Sequence, residues 1–315
     1  MKIQIKSMIK TLKKINLKNI VIYIVLVLIS YQFLYPLLRM TMTALMSQED
    51  IINPTVNWLP KSGSLGNLRT ALRVLELRTT LVNSLLFSGT LAICQTLVSA
   101  MTGYAFARYK FKFKNFWFIM VILTFILPTP IMLIPRTMMA VSVRETLGIQ
   151  MIGTPYPQLL MAITGQGINS AILVLIFFHF FRLIPRALDE AASIDGASSV
   201  QIFYHVILKL SLSTILIVFL FSFVWNWNET YITNTFIRGQ IQLLPPRLAM
   251  FDSIFSQYAT ASAGASGSMN LEQQRINEAY KMSATLISII PLFILYLIVQ
   301  RKLIKGIESA GITGE

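Results

Sequence analysis

Side chains able to do bond chemistry are scarce in this chain and poorly spaced for it. The two histidines, His179 and His205, and the one cysteine, Cys94, lie too far apart to give metal-ligand spacing. No Ser/His/Asp or Cys/His arrangement stands out as a nucleophile with its base. No Gly-x-x-x-x-Gly-Lys-Ser/Thr loop offers backbone N–H groups to a nucleotide phosphate. The expectation is a chain with no catalytic residue, no metal ligand and no cofactor of its own. What remains is recognition, concentrated in one polar stretch, Glu190-Ala191-Ala192-Ser193-Ile194-Asp195-Gly196-Ala197-Ser198-Ser199. Pro185 suits a first helical turn and Arg186 to Ile194 are good helix formers. Asp195-Gly196 signals a turn, and Ala197 to Val206 reads as a second short helix. The alanines carry so little bulk that another protein can approach the backbone closely, which makes the stretch a docking knob.

The elements that must hold this knob are membrane helices. Of 315 residues, 55% are hydrophobic and 13% are charged, with a mean hydropathy of +0.64. Soluble domains carry about 25% charged residues, so the composition excludes an ordinary soluble enzyme. The chain is predicted to be all-α, a polytopic transmembrane helical protein of six spans. These are Ile20–Leu38, Leu81–Gly103, Phe116–Pro135, Leu159–Phe181, Leu212–Asn228 and Met282–Val299, each near the length that crosses a hydrocarbon core of roughly 30 Å. Gly165, Gln166, Gly167 and Asn169 interrupt the fourth, as in a helix broken near the outer face or beside a polar cavity.

A net charge of +14 raises nucleic acid as a partner, but the basic residues collect in loops and at the N-terminus. Segments 1–19, 104–115, 182–211 and 300–315 hold sixteen Lys and Arg, against eleven on the longer segments 39–80, 136–158 and 229–281. That asymmetry places both termini and the knob in the cytoplasm. The lysines from Lys2 to Lys18 ahead of a long apolar run fit a retained signal anchor better than a cleaved leader. All thirteen acidic residues fall outside the six spans. An ion-coupled secondary carrier usually needs ionisable groups at membrane depth, so it is the weaker alternative. His179, flanked by Phe177, Phe178, Phe180 and Phe181, reads as a packed or interfacial residue.

The knob resembles the EAA loop of ABC-importer permeases, where Glu-Ala-Ala precedes Asp-Gly-Ala and then an aromatic, here Phe203. The prolines that family often carries after the aromatic are absent, with Lys209 and Ser213 in those places. The resemblance implies ATPase coupling through Glu190, Ala191, Ala192, Asp195, Gly196, Ala197 and Phe203. The tail from Gln300 to Gly311 is similar to that of the carbohydrate subfamily, specifically the smaller permease of maltose-type importers. There it reaches the ATPase, which implies contacts from Gln300, Lys305 and Gly306. The Trp-Asn pairs ending the fifth span are also similar, implying a substrate path along Trp225, Asn226 and Asn228.

The resemblance further implies a cargo of sugar or oligosaccharide, with a polyol or glycerol phosphate derivative as the alternative. The implied partners are a second homologous permease in a heterodimer, two cytoplasmic ATP-binding subunits that use the ATP, an extracytoplasmic solute-binding protein and membrane lipid. The implied location is a bacterial or archaeal cell membrane. The domain reading is a basic N-terminus over 1–19, a six-span permease domain over 20–299 with its loop at 182–211, and a cytoplasmic tail over 300–315. Pro128, Pro130 and Pro135 in the third span each remove a helical hydrogen bond, so that span is expected either to bend or to break up at its outer end.

Overall fold

The computed structural model describes the backbone of residues 17–263 and 271–312, and the side chains of 18–258 and 275–301. The described residues are helical apart from turns and one isolated bridge, Met46 with Gly63. In chain order the helices are α1 (Leu17–Ala44), α2 (Gln48–Ile52), α3 (Gly66–Val74), α4 (Leu77–Arg108), α5 (Lys114–Ile126), α6 (Thr129–Leu147), α7 (Tyr156–Ile163) and α8 (Ser170–Leu183). There follow α9 (Ala187–Ile194), α10 (Ser199–Ile202), a π-helical turn at Phe203–Ile207, α11 (Leu208–Leu210), α12 (Leu212–Asn228), α13 (Tyr231–Ile237), α14 (Leu244–Ala249), α15 (Phe251–Ala263) and α16 (Leu271–Ile312).

Three segments are long and apolar enough to cross a membrane unbroken: Lys18–Ala44, Leu77–Arg108 and Arg275–Arg301. Three more qualify as bent pairs, Lys114–Ile126 with Thr129–Leu147 at 104°, Ser170–Leu183 with Ala187–Ile194 at 75°, and Ser199–Leu210 with Leu212–Asn228 at 82°. Each bend has a local cause. Leu127 precedes Pro128 and is pushed to extended backbone, ψ 122°. Pro128 contributes no N–H, so α5 ends there and α6 starts afresh. In the third span, expected as Phe116–Pro135, the first helix therefore stops at Ile126, and Pro135 lies inside α6. The fourth is broken where its glycines stand. α7 ends at Ile163 and α8 starts at Ser170, with Gly165 at φ +75° and Asn169 at φ +51° between them.

The described residues divide into two compact units, one from the chain before Arg73 together with 259–287, the other from Arg73–Tyr258 and from Ser288 onward. In the first, the most apolar window of α1 is entirely unburied. The turn that follows is laced by polar groups. The Asp50 carboxylate accepts the Lys61 and Ser62 amides at 2.9 and 3.0 Å, and the Asn67 amide donates to the Met46 carbonyl at 2.8 Å. In the second unit, α4 packs along α8 and α12. The approach of α4 to α8 needs Gly103, because a Cβ there would stand 2.7 Å from the Phe177 Cβ and 3.0 Å from the Phe178 nitrogen.

Candidate functional site

The polar stretch folds as a helical corner closed by two caps. Ile184 is extended ahead of Pro185, which ends α8, and α9 runs from Ala187 to Ile194. Gly196 adopts φ +81°, a left-handed conformation that glycine takes without steric cost. Its N–H bonds the Ser193 carbonyl at 3.1 Å, and the Ala197 N–H reaches back to the Ala192 carbonyl at 3.0 Å. That pair of bonds is a Schellman closure. Two residues later Ser198 starts α10 with a capping box, its hydroxyl accepting the Gln201 N–H while the Gln201 side chain accepts the Ser198 N–H. The turn signal at Asp195-Gly196 thus sets a helix C-terminus, and the second short helix starts at Ser199, later than expected.

The corner is fixed to the spans by an aromatic core. Phe203 is buried against Tyr104 with ring centroids 4.9 Å apart, and Tyr104 meets Phe181 edge-on at 5.7 Å. Ala100, Leu173, Phe177, Ile202, Ile207 and Val218 belong to the same cluster, and Ala192 and Ala197 pack on its rim. Burying a side chain of phenylalanine size is worth roughly 1.5–3 kcal/mol. An ion pair completes the joint. Arg108, the last residue of α4, lies 3.2 Å from the Asp189 carboxylate and donates to the Ile184 carbonyl at 2.8 Å. The side chains of Arg108 and Asp189 are only 6% and 21% exposed. Sequence reasoning missed this pair.

The bend that the family's prolines would supply is made here by other means. The π-helical turn at Phe203–Ile207 widens the ladder, and Ser211 is fully buried with its hydroxyl bonded to the Ile207 carbonyl at 2.6 Å. A hydroxyl turned back on the preceding turn bends a helix, and the axis swings by 82° there.

The seven knob residues picked out by the sequence separate by environment. Phe203 is buried, Ala192 and Ala197 are half-buried, and Glu190, Ala191, Asp195 and Gly196 are exposed. Around the exposed four stand apolar side chains with little cover among the described residues, Ile194 at 87% and Val200 at 65% exposure. One face therefore anchors the corner and the other presents small and apolar groups.

At the far end of α12 the expected path residues are placed differently from one another. Asn226 is buried and donates to the Gln95 Oε1 at 2.7 Å and the Ser222 carbonyl at 2.7 Å, while the Ser222 hydroxyl donates to the same Gln95 oxygen. Gln95 belongs to α4, so this cluster ties two apolar helices by mutually satisfied polar groups, the only economical way to keep them out of water. Gly167 lies so close that a Cβ there would collide with the Gln95 amide. Trp225 stacks on Phe221 at 5.7 Å, and exposed Asn228 donates to the Val224 carbonyl at 3.0 Å. The structure thus brings Asn226 to Gln95 and leaves Trp225 and Asn228 outside that cluster. In the tail, Gln300 is half-buried and donates to the Leu297 carbonyl at 3.3 Å. The backbone of α16 carries Lys305 and Gly306 in helix, and their side chains lie outside the described residues.

A helical membrane chain with a small-residue corner fixed to its spans has the build of a transporter subunit. The model of the family described as binding-protein-dependent transport system inner membrane component matches residues 95–309, and the chain belongs to that family. It is a membrane transport component and not an enzyme, and components of this family work with the ATPase and the binding protein of an ABC importer. Among its relatives, the chain is 24% identical over 280 residues to a putative ABC transporter permease protein, ORF2, of Caldicellulosiruptor sp. (strain Rt8B.4), covering 89% of this chain and 91% of that one. It is 27% identical over 283 residues to the sn-glycerol-3-phosphate transport system permease protein UgpE of Pectobacterium atrosepticum, covering 88% and 91%. Among solved structures, a chain of a bacterial ABC transporter involved in import of the acidic polysaccharide alginate superposes with a TM-score of 0.71 at 19% identity, covering 90% of this chain and 95% of that one. That likeness speaks to the fold.

Proposed function

We propose that this chain is the permease half of an ABC importer whose 182–211 corner receives the ATPase stroke and moves α8 and α12 with it. The observation that carries the reading is the two-faced corner, with Phe203 and the Arg108–Asp189 pair fixing it inward and Ile194 and Val200 uncovered outward. A lever must be stiff where it joins the moving part and bare where it is pushed. Glu190, Ala191, Asp195 and Gly196 form the ATPase-facing surface, Ala192, Ala197 and Phe203 the joint, and Gln300, Lys305 and Gly306 a second ATPase contact. The chain has six spans with both termini cytoplasmic, arranged as the basic 1–19 segment, the 20–299 permease domain and the 300–315 tail. It sits in a bacterial or archaeal cell membrane and pairs with a second, homologous permease, two ATP-binding subunits and an extracytoplasmic solute-binding protein. ATP is bound by the partner subunits, and this chain holds no cofactor. The cargo is a sugar, oligosaccharide or related polyol derivative, passing near Trp225, Asn226 and Asn228; the relatives that handle sn-glycerol-3-phosphate and alginate support that class.

The test is co-purification of an ATPase from detergent extract. The intact chain is compared with Ile194→Glu, which charges the bare face without touching the joint, and with the Glu190→Ala, Gly196→Pro double variant. The reading expects at least tenfold less ATPase with Ile194→Glu at an unchanged melting temperature. An intact, folded chain that captures no ATPase removes it.

A further inference from the structure

Arg136 stands apart from the coupling corner and from the Gln95–Asn226 cluster. It sits two turns into α6, half-buried, and donates to the Gln166 carbonyl at 3.2 Å. No carboxylate comes within ion-pair distance of it among the described residues. A guanidinium has five donors in a planar fork, so most of its capacity is unspent. With Thr124, Thr129, Asn169, Ser170 and Glu229 it lines a cleft of about 100 Å³.

The cleft opens where two helices restart. α6 and α8, of 19 and 14 residues, begin beside it with Pro128 and Asn169 at their N-caps, and neither cap supplies a side-chain bond. In those first turns the Ile131, Ser170 and Ile172 N–H groups already bond backbone carbonyls and Pro130 has none, which leaves the Thr129 and Ala171 N–H groups and the partial positive charge of each helix to face what fills the space. Ser170 makes the independent point. It is 4% exposed, and its hydroxyl is buried with no hydrogen-bond partner, which an acceptor in the cleft would supply. Glu229 is the opposing charge, but its Oε1 already accepts the Ile232 N–H at 2.8 Å.

We propose that this cleft is an anion subsite on the transport path, holding a carboxylate or phosphate carried by a polyhydroxylated cargo. The room suits such an end group and few waters besides. The Arg136 fork takes two anion oxygens, the Ser170 hydroxyl donates a third bond, and the free oxygen of Glu229 accepts from a neighbouring cargo hydroxyl. The assignment rests on the importer reading above, and the test separates the two.

The full-length chain in nanodiscs is titrated by saturation-transfer NMR with glucuronate against glucose and with glycerol 3-phosphate against glycerol. The subsite predicts that at least one anion binds tenfold or more tighter than its neutral counterpart, a difference of about 1.4 kcal/mol. It also predicts that Arg136→Gln abolishes the preference while Arg136→Lys retains part of it. A preference in the first pair alone assigns a carboxylate, in the second alone a phosphate. No anion binding, equal binding within both pairs, or a preference that survives Arg136→Gln overturns the subsite. If Arg136→Gln does not fold, Ser170→Ala decides: a threefold or greater loss for the preferred anion supports it and an unchanged affinity overturns it. ATPase capture is scored on the same preparations. ATPase present without an anion preference removes the subsite alone, and a preference without ATPase keeps the subsite and removes the importer reading.

Discussion

Helix α8 begins at one broken span and ends at another, and the two breaks are finished in opposite ways. At its C-terminal end the chain turns through 75° into a corner filled by aromatic rings, and the charged groups there, Arg108 and Asp189, lie 3.2 Å apart as an ion pair. At its N-terminal end the break over 164–169 borders a cleft where Arg136 has one carbonyl partner and the Ser170 hydroxyl has none. The same device, an interrupted membrane helix, gives a stiff joint when apolar side chains fill the bend. It gives a polar recess when they do not. Which outcome follows is decided by what neighbouring helices bring, Tyr104 of α4 and Phe203 in one case and Thr124, Arg136 and Glu229 in the other.

If the corner is the stiff end, its variants should cost most. Phe203→Ala empties a ring-sized space beside Tyr104 and should destabilise the folded chain by about 3–5 kcal/mol, read as the largest drop in melting temperature of the set. Asp189→Ala leaves the Arg108 charge only the Ile184 carbonyl and should cost about 2–3 kcal/mol, below the 3–5 of a fully buried pair because Asp189 keeps some solvent; a cycle with Arg108→Ala should recover a coupling above ~0.5 kcal/mol. Gly103→Ala forces α4 off Phe177 and should cost about 1–3 kcal/mol, visible as cysteine cross-links between α4 and α8 that form more slowly. Gly196→Ala meets nothing within 4 Å, so only the left-handed backbone is penalised, by about 1 kcal/mol. At the recess, Ser170→Ala removes a hydroxyl that bonds nothing and should shift stability by less than ~0.5 kcal/mol. A Ser170→Ala loss as large as that of Asp189→Ala would erase the contrast between the two ends.

The corner was largely legible in the sequence because its signals are local. Asp195-Gly196, Pro185 and the glycines at 165 and 167 each act within a few residues of where they stand. The long apolar helices were legible for the same reason, being runs. Pro128 was seen as a kink point, yet a lone sequence does not say whether neighbours repair a proline break, and here α5 stops. What escaped is non-local. Gln95 finds Asn226 across 131 positions and Arg108 finds the Ile184 carbonyl across 76, and no period or spacing encodes such a meeting. Ser211 escaped for a subtler reason. Its side chain does the bending that proline would do, and a serine in an apolar run carries no such signature.

The bare helix α1 sets a length scale for the surroundings of this chain. At ~1.5 Å per residue the interval from Lys18 to Arg39 spans about 32 Å, close to the ~30 Å of a typical hydrocarbon core. Standing upright, the helix would put one cation at each headgroup layer, with Met40–Ala44 beyond. Thicker bilayers would drag a charge inward or stretch the lipid contact, and thinner ones would force a tilt. Because none of the described residues covers its apolar window, lipid chain length should act on this helix directly, and shorter or longer lipids in reconstitution should change its tilt before they change the corner.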